Sequence, residues 1–172
     1  MKRLLLFLLV LAAGLRAAEA PRVSDPSGVL PPAAVAALEA QAVEFERATG
    51  VQLRVAFHAQ SPTAQEDEVP GAYMKALAGR IGTAEGGVLA VYFADDPDWR
   101  LWIGDALTER FARRKGTVAE LTENRAIHDA KEAVFAAAKA KADAAEKDRK
   151  SPRHLEREAE ALIAELQRRF AR

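Results

Sequence analysis

Gly87-Val88-Leu89-Ala90-Val91-Tyr92-Phe93 carries no charged or amide side chain from end to end. A continuous apolar run of this length, rich in β-branched and aromatic residues, reads as a strand buried on both faces at the centre of a sheet. Upstream, Val51-Gln52-Leu53-Arg54-Val55-Ala56-Phe57 alternates large apolar residues with smaller or polar ones, the pattern of a second strand. Between the two, Tyr73, Met74, Leu77 and Ile81 recur at helical spacing, and the segment closes at Gly79–Gly82. Strand, helix and strand in that order form a βαβ unit, parallel and right-handed. Downstream, Asp95-Asp96-Pro97-Asp98 is turn chemistry. Trp99, Leu101 and Ile103 then alternate with Arg100 and Trp102 as far as Gly104, so a hairpin places an antiparallel strand beside the central one.

Further out, Arg22–Gly28 is a short extended piece ending in the turn Asp25-Pro26-Ser27-Gly28. Pro31 and Pro32 suit a helix start, Val35, Leu38, Ala42 and Phe45 repeat at helical spacing, and Gly50 is a C′ residue. The spacing predicts a helix from about Pro32 to Thr49. This helix and those downstream can cover the two faces of a small mixed sheet. Residues 59–69 are a polar loop. From Thr117 to Lys150 no Gly or Pro occurs, which predicts helix throughout. Its apolar stripe (Val118, Leu121, Ile127, Val134, Phe135) stops halfway, so Ala136–Lys150 is expected to project into solvent and fray. Ser151-Pro152 restarts a helix, to which Leu155, Leu162, Ile163, Leu166 and Phe170 give one apolar face.

The N-terminus reads as an export signal. Lys2 and Arg3 precede an apolar Leu4–Leu15, and Ala18-Glu19-Ala20 supplies the small-x-small pattern a signal peptidase reads. Arg16 ends the run well short of the roughly 20 residues that span a bilayer. Pro21 would follow the cleaved bond and slow the peptidase; without cleavage the same segment is a membrane anchor. No later segment is apolar enough to cross a membrane, so a periplasmic or secreted domain is expected, tethered if the signal stays. Residues 1–20 are then the signal, 21–115 the α/β domain, and 116–172 helices packing on it or extending from it.

Composition narrows the chemistry. The 25 basic residues balance the 25 acidic ones, which gives no general attraction to nucleic acid. With no cysteine there is no disulfide, thiolate metal site, Cys nucleophile or lipoprotein anchor. His58, His128 and His154 lie far apart, so a hard cation would need oxygen ligands.

The order of these segments resembles the TPM domain family of thylakoid-lumen and bacterial exported proteins. The resemblance rests on Val23-Ser24-Asp25 with Gly28-Val29-Leu30, on Thr49-Gly50-Val51-Gln52-Leu53, on Tyr73 with Ile81-Gly82, on Gly87–Val91 and on Trp99–Gly104. It implies a three-layer α/β/α sandwich outside the cytoplasm, in a family of assembly or quality-control factors for membrane protein complexes. Weak acid phosphatase activity is associated with some members and calcium-holding acidic residues with others. The chain departs from the family pattern where Asp-Asn-Gly becomes Glu85-Gly86-Gly87, and where Gly-x-Gly with leucine and an acid becomes Gly104-Asp105-Ala106-Leu107-Thr108. The two segments are expected to meet at one end of the sheet.

Two acidic groups are candidate sites. Asp95, Asp96 and Asp98, with Asp25 at the same sheet end, offer the oxygen donors a cation such as Ca²⁺ takes; turn formation alone also accounts for each of them. Glu85, Gly86, Gly87, Gly104 and Asp105 are candidates for a ligand cleft at the opposite end, near Glu109. Asp105 reads first as the N-cap of a helix over 106–114, with the cleft as the alternative. Phosphoryl transfer would also require a cation or a fixed Lys or Arg, and Arg80 and Arg100 are the nearest in sequence. Trp99 and Trp102 must face opposite sides of their strand. The basic run Arg113-Arg114-Lys115 suits a helix end, and His58 reads as a loop histidine. Two functions follow as expectations: a binding module for a protein partner at the membrane or envelope, or a metal-dependent phosphomonoesterase using Asp25 and the Asp95–Asp98 turn. Self-association through the C-terminal helices is a third.

Overall fold

In the computed structural model the described residues are 20–171, so the export segment lies outside them apart from Ala20. Strand β1 is Val23–Ser24, helix α1 Pro32–Thr49, strand β2 Gln52–His58 and helix α2 Ala72–Ile81. Strands β3 (Gly87–Phe93) and β4 (Asp98–Ile103) form the hairpin. A 3₁₀ turn, Asp105–Leu107, leads into helix α3 (Thr108–Ala112), followed by α4 (Val118–Glu123), α5 (Ala126–Ala145) and α6 (Pro152–Phe170). Helix α1 opens on a proline in its first turn, and Gly50 stops it in the left-handed conformation (φ 69°), its N–H on Glu46 O.

The sheet order is β1-β2-β3-β4. β1 runs parallel to β2 and β2 to β3, with Gln52 opposite Gly87, while β4 is antiparallel to β3, with Val88 opposite Ile103. The mixed sheet, with its parallel β2–β3 pair and antiparallel β4, is the one the apolar periodicity calls for.

Two apolar cores flank it. On one face Leu53, Val55, Phe57, Val88, Ala90, Trp99, Leu101 and Ile103 pack with α1, α5 and α6. On the other, Leu89, Val91 and Phe93 meet Met74 and Ala78 of α2, with Trp102 half-buried beside them. Helices, sheet and helix make the α/β/α sandwich, and the two tryptophans fall on opposite faces. Glu46 ties the first elements together: its carboxylate accepts from Arg22 Nε (2.6 Å), Arg54 Nη1 (2.8 Å) and the Leu53 N–H (3.0 Å). Burial pushes its pKa up, but these donors outweigh burial and the net shift is downward.

The C-terminal half differs from the sequence reading in two ways. The single helix expected over 117–150 is broken: Arg125 takes a left-handed conformation (φ 63°) and the Asn124 side chain accepts from the Ala126 N–H. Helix α4 has its own capping box, Thr117 with Glu120. The stretch expected to fray is packed, because Ala138 and Ala142 are buried against α6. Small side chains let the two helices approach closely, an apolar contact that a search for large residues overlooks. At that seam Glu165, only 3% exposed, accepts from Lys141 (2.6 Å) and Arg168 (2.5 Å), and Asp143 lies 2.9 Å from His154 Nε2.

Candidate functional site

The acidic residues of the hairpin end do not share a point. Asp25 uses both carboxylate oxygens as a local cap, on the Val29 N–H (2.9 Å) and the Leu30 N–H (2.8 Å). It follows β1, whereas Asp95–Asp98 joins β3 to β4, which separates them by roughly 10–15 Å at the usual strand spacing. Asp95 accepts from the Ser61 N–H (2.8 Å), the Ser61 hydroxyl (2.9 Å) and the Asp96 N–H (2.9 Å), and the Ser61 hydroxyl leads in holding its carboxyl below the usual range. Among the described residues no three Asp, Glu or His side chains converge as a cation would require. The donors therefore do not fit one shared calcium ion.

At the other end Glu85, Gly86, Gly87, Gly104 and Asp105 do meet, but as packed backbone. The Gly104 N–H donates to Gly87 O (2.8 Å) and the Ala106 N–H to Glu85 O (2.9 Å). A β-carbon on Gly104 would lie 2.5 Å from the Glu85 carbonyl carbon and 2.9 Å from Gly86 N, and nearer still to the Glu85 oxygen. A β-carbon on Gly87 would lie 2.8 Å from Thr83 Cβ. Glycine at both places admits neighbouring protein, not a ligand. Asp105 caps no helix with its side chain: Gly104 stands at the N-cap of the 3₁₀ turn, and Leu107 at that of α3. The chain turns too tightly after β4 for the regular helix 106–114 that an Asp105 cap presupposes.

Asp105 does line a cavity of about 540 Å³ along the sheet edge. Four consecutive β4 residues, Arg100–Ile103, touch it. Successive strand residues point to opposite faces, so a cavity that touches all four lies along the strand's open edge. Gly71 and Met74 of α2 wall one side; Val118 and Thr122 of α4 with Ile127 and Lys131 of α5 wall the other. Arg100 is committed to Asp67 (2.6 Å) and its guanidinium lies over the Phe93 ring. Lys131 is different: among the described residues no hydrogen bond or ion pair engages its amine, and burial pushes its pKa down from the ordinary lysine range.

A second cavity of about 380 Å³ lies at the hairpin tip on the face that α5 and α6 cover, between Tyr92, Asp98 and Trp99 on one side and Phe135, Leu155 and Glu158 on the other. The Trp99 indole N–H is the one buried side-chain donor without a partner among the described residues. His58, at the end of β2, is half-buried with Nδ1 3.3 Å from the Tyr73 hydroxyl, and burial lowers its pKa. Lys131 was not singled out from sequence, although one signal was available: it falls four residues after Ile127 and three before Val134, inside the apolar stripe of its helix.

The fold and its site thus define an α/β/α sandwich built on a βαβ unit and a hairpin, with a cleft along the hairpin's free edge. The TPM domain family model matches residues 23–146, and the chain belongs to that family. The match passes through β1 to α5 and so includes both walls of the cleft. The fold is similar to the solution NMR structure of the N-terminal domain of a protein from P. gingivalis, with TM-score 0.52 and 18% identity over 87% of this chain and 84% of that one. No functionally curated protein matches the sequence.

Proposed function

We propose that this TPM domain acts outside the cytoplasm as a binding module for membrane or envelope proteins, and that the partner occupies the cleft along β4. The observation that carries the reading is the cleft itself: about 540 Å³, with Met74, Leu101, Trp102, Val118 and Ile127 as its apolar lining and the Lys131 amine, without a partner among the described residues, beside them. The N-terminal export signal supplies the compartment, and among the described residues no helix is long and apolar enough to cross a membrane.

The rival reading is a weak phosphomonoesterase. Its support is the same cleft, since Asp105, His128 and Lys131 all line it and could receive a phosphate. Purified mature protein assayed with a generic phosphomonoester, with and without Ca²⁺ or Mg²⁺, separates the two. The binding reading expects no turnover above the uncatalysed rate. It also expects a photo-crosslinker at the exposed Thr122 to form adducts with envelope proteins that Lys131→Glu weakens. Metal-dependent turnover that Lys131→Met abolishes would replace binding by catalysis.

A further inference from the structure

The larger cavity borders the edge of β4, where the sheet ends; among the described residues no further strand pairs there, α2 walls the cleft on one side and α4 and α5 on the other, and Trp99, Leu101 and Ile103 are only 4–5% exposed. In an antiparallel ladder, hydrogen-bonded and non-hydrogen-bonded pairs alternate. The Gly104 N–H donates to Gly87 O, so with the observed register the bonded pairs are Trp102 with Leu89, Arg100 with Val91 and Asp98 with Phe93. The N–H and C=O groups of Trp99, Leu101 and Ile103 therefore point away from β3. Among the described residues no loop, turn or side chain hydrogen-bonds to them. Exposed edges are commonly blunted by proline, lysine or a bulge. β4 has none of these inside Trp99–Ile103, and Arg100, the one charge in that stretch, is paired with Asp67.

We propose that an extended segment of a partner protein adds to β4 as a fifth strand, pairing with the free backbone of Leu101 and Ile103 and placing a carboxylate side chain on Lys131. This rests on the binding reading above and specifies its partner. Backbone pairing supplies affinity without regard to sequence, and side-chain pockets supply selectivity. The walls of Met74, Trp102, Val118 and Ile127 select apolar residues flanking the acid. The charge choice follows from Lys131: of the cleft's charges Asp67 and Arg100 pair with each other and Asp105 is exposed to water, whereas the Lys131 amine is half-buried and gains most from an anionic partner. A peptide with lysine at that position would bring two ammonium groups together.

The test uses the mature chain and a capped, fluorescein-labelled eight-residue peptide that alternates valine and threonine around one central glutamate. Replacing the glutamate by glutamine is expected to weaken binding about tenfold in fluorescence anisotropy, and lysine further. Lys131→Met should make the glutamate and glutamine peptides equal, with unfolding midpoints showing that the variant folds. Methylating alternate backbone nitrogens of the peptide should abolish binding without touching the protein. Hydrogen exchange read by NMR should show the Leu101 and Ile103 amides gaining protection on binding, while those of Arg100 and Trp102, already paired with β3, do not change. The proposal is overturned if the lysine peptide binds as well as the glutamate one, or if Leu101 and Ile103 exchange at unchanged rates. Protection of those amides in a dimer without peptide would assign the edge to a second copy. Peptide binding that protects other amides would sink this proposal and leave the binding reading standing, whereas phosphomonoester turnover sinks that reading itself.

Discussion

Gly104→Ala isolates the role of the sheet end, because alanine suits the backbone there and only the added atom offends. Gly104 has φ −58° and ψ 144°, ordinary extended values for any residue. Its new β-carbon would sit 2.5 Å from the Glu85 carbonyl carbon and 2.9 Å from Gly86 N. Both neighbours are backbone, so no side chain can rotate aside; either the Glu85–Gly87 segment or the start of the 3₁₀ turn must move. Such overpacking costs about 1–3 kcal/mol, and the shift also loosens the Gly104–Gly87 and Ala106–Glu85 hydrogen bonds. A loss of about 3 kcal/mol is expected, or about 6–12 °C in Tm for a domain of this size.

Urea denaturation followed by circular dichroism and by tryptophan fluorescence measures the loss. Fluorescence is locally informative, since the Trp102 indole N–H donates to Ala84 O beside the affected segment (3.0 Å). Gly86→Ala is the internal control: a β-carbon there has no neighbour within 4 Å. It should be neutral, or more stable by up to about 1 kcal/mol through the reduced entropy of the unfolded chain. If Gly104→Ala is as stable as the parent, or the two variants lose equally, the packing account fails. The glycines would then have to serve a ligand's approach, visible as a binding defect without a stability defect.

Further consequences concern the rest of the frame. Glu46→Ala should destabilise by about 2–3 kcal/mol, because it leaves the Leu53 N–H without its acceptor and removes the carboxylate that Arg22 and Arg54 share. Since the folded pKa of Glu46 is depressed, its contribution is present above the ordinary value of 4.5 and fades as pH falls below it. Urea midpoints of parent and variant should therefore converge in acid, and a gap that widens there would contradict the sign. Ala142→Leu should destabilise by about 1–3 kcal/mol, since the site is fully buried between α5 and α6; a frayed tail would accept the leucine without loss. Asp25→Ala removes the caps on Val29 and Leu30 and should lower Tm by the same few degrees with or without millimolar calcium, for an expected loss of about 1–2 kcal/mol. A calcium-dependent difference between parent and variant in a thermal scan would restore a cation to that carboxylate.

The sheet was legible because its signals are local. An uncharged seven-residue run can hardly be anything but a central strand, and the turn at Asp95–Asp98 places β4 next to it. The close approach of Glu85–Gly87 to Gly104 also followed from topology, since a hairpin returns the chain to where the central strand begins. What that approach is for did not follow. Glycine serves a ligand and a neighbouring backbone equally well, and only the position of the missing β-carbon separates them. The acids are ambiguous in a similar way: Asp25 and Asp95 carry the charge of a metal ligand, and the structure shows their oxygens accepting from nearby N–H and O–H donors that sequence does not orient.

The cleft itself was hidden by one residue's backbone. On a continuous helix at about 100° per residue, Ile127 and Lys131 stand nine residues after Val118 and Thr122, about 180° around the axis. A single helix over 117–150 would thus have turned one pair toward the sheet and the other away from it. The left-handed turn at Arg125 breaks the helix and reorients its second part, so that both pairs line the same cavity. Nothing in the local sequence demands that break, since arginine has no preference for positive φ and the segment is helix-favouring on both sides. Tertiary packing imposes it: α4 holds Leu121 in the interior while α5 buries Ala130 and Val134 in the core that α1, α6 and the sheet share. The same break sets Ile127 and Lys131, at the start of α5, in the cavity that Arg100–Ile103 of β4 also line.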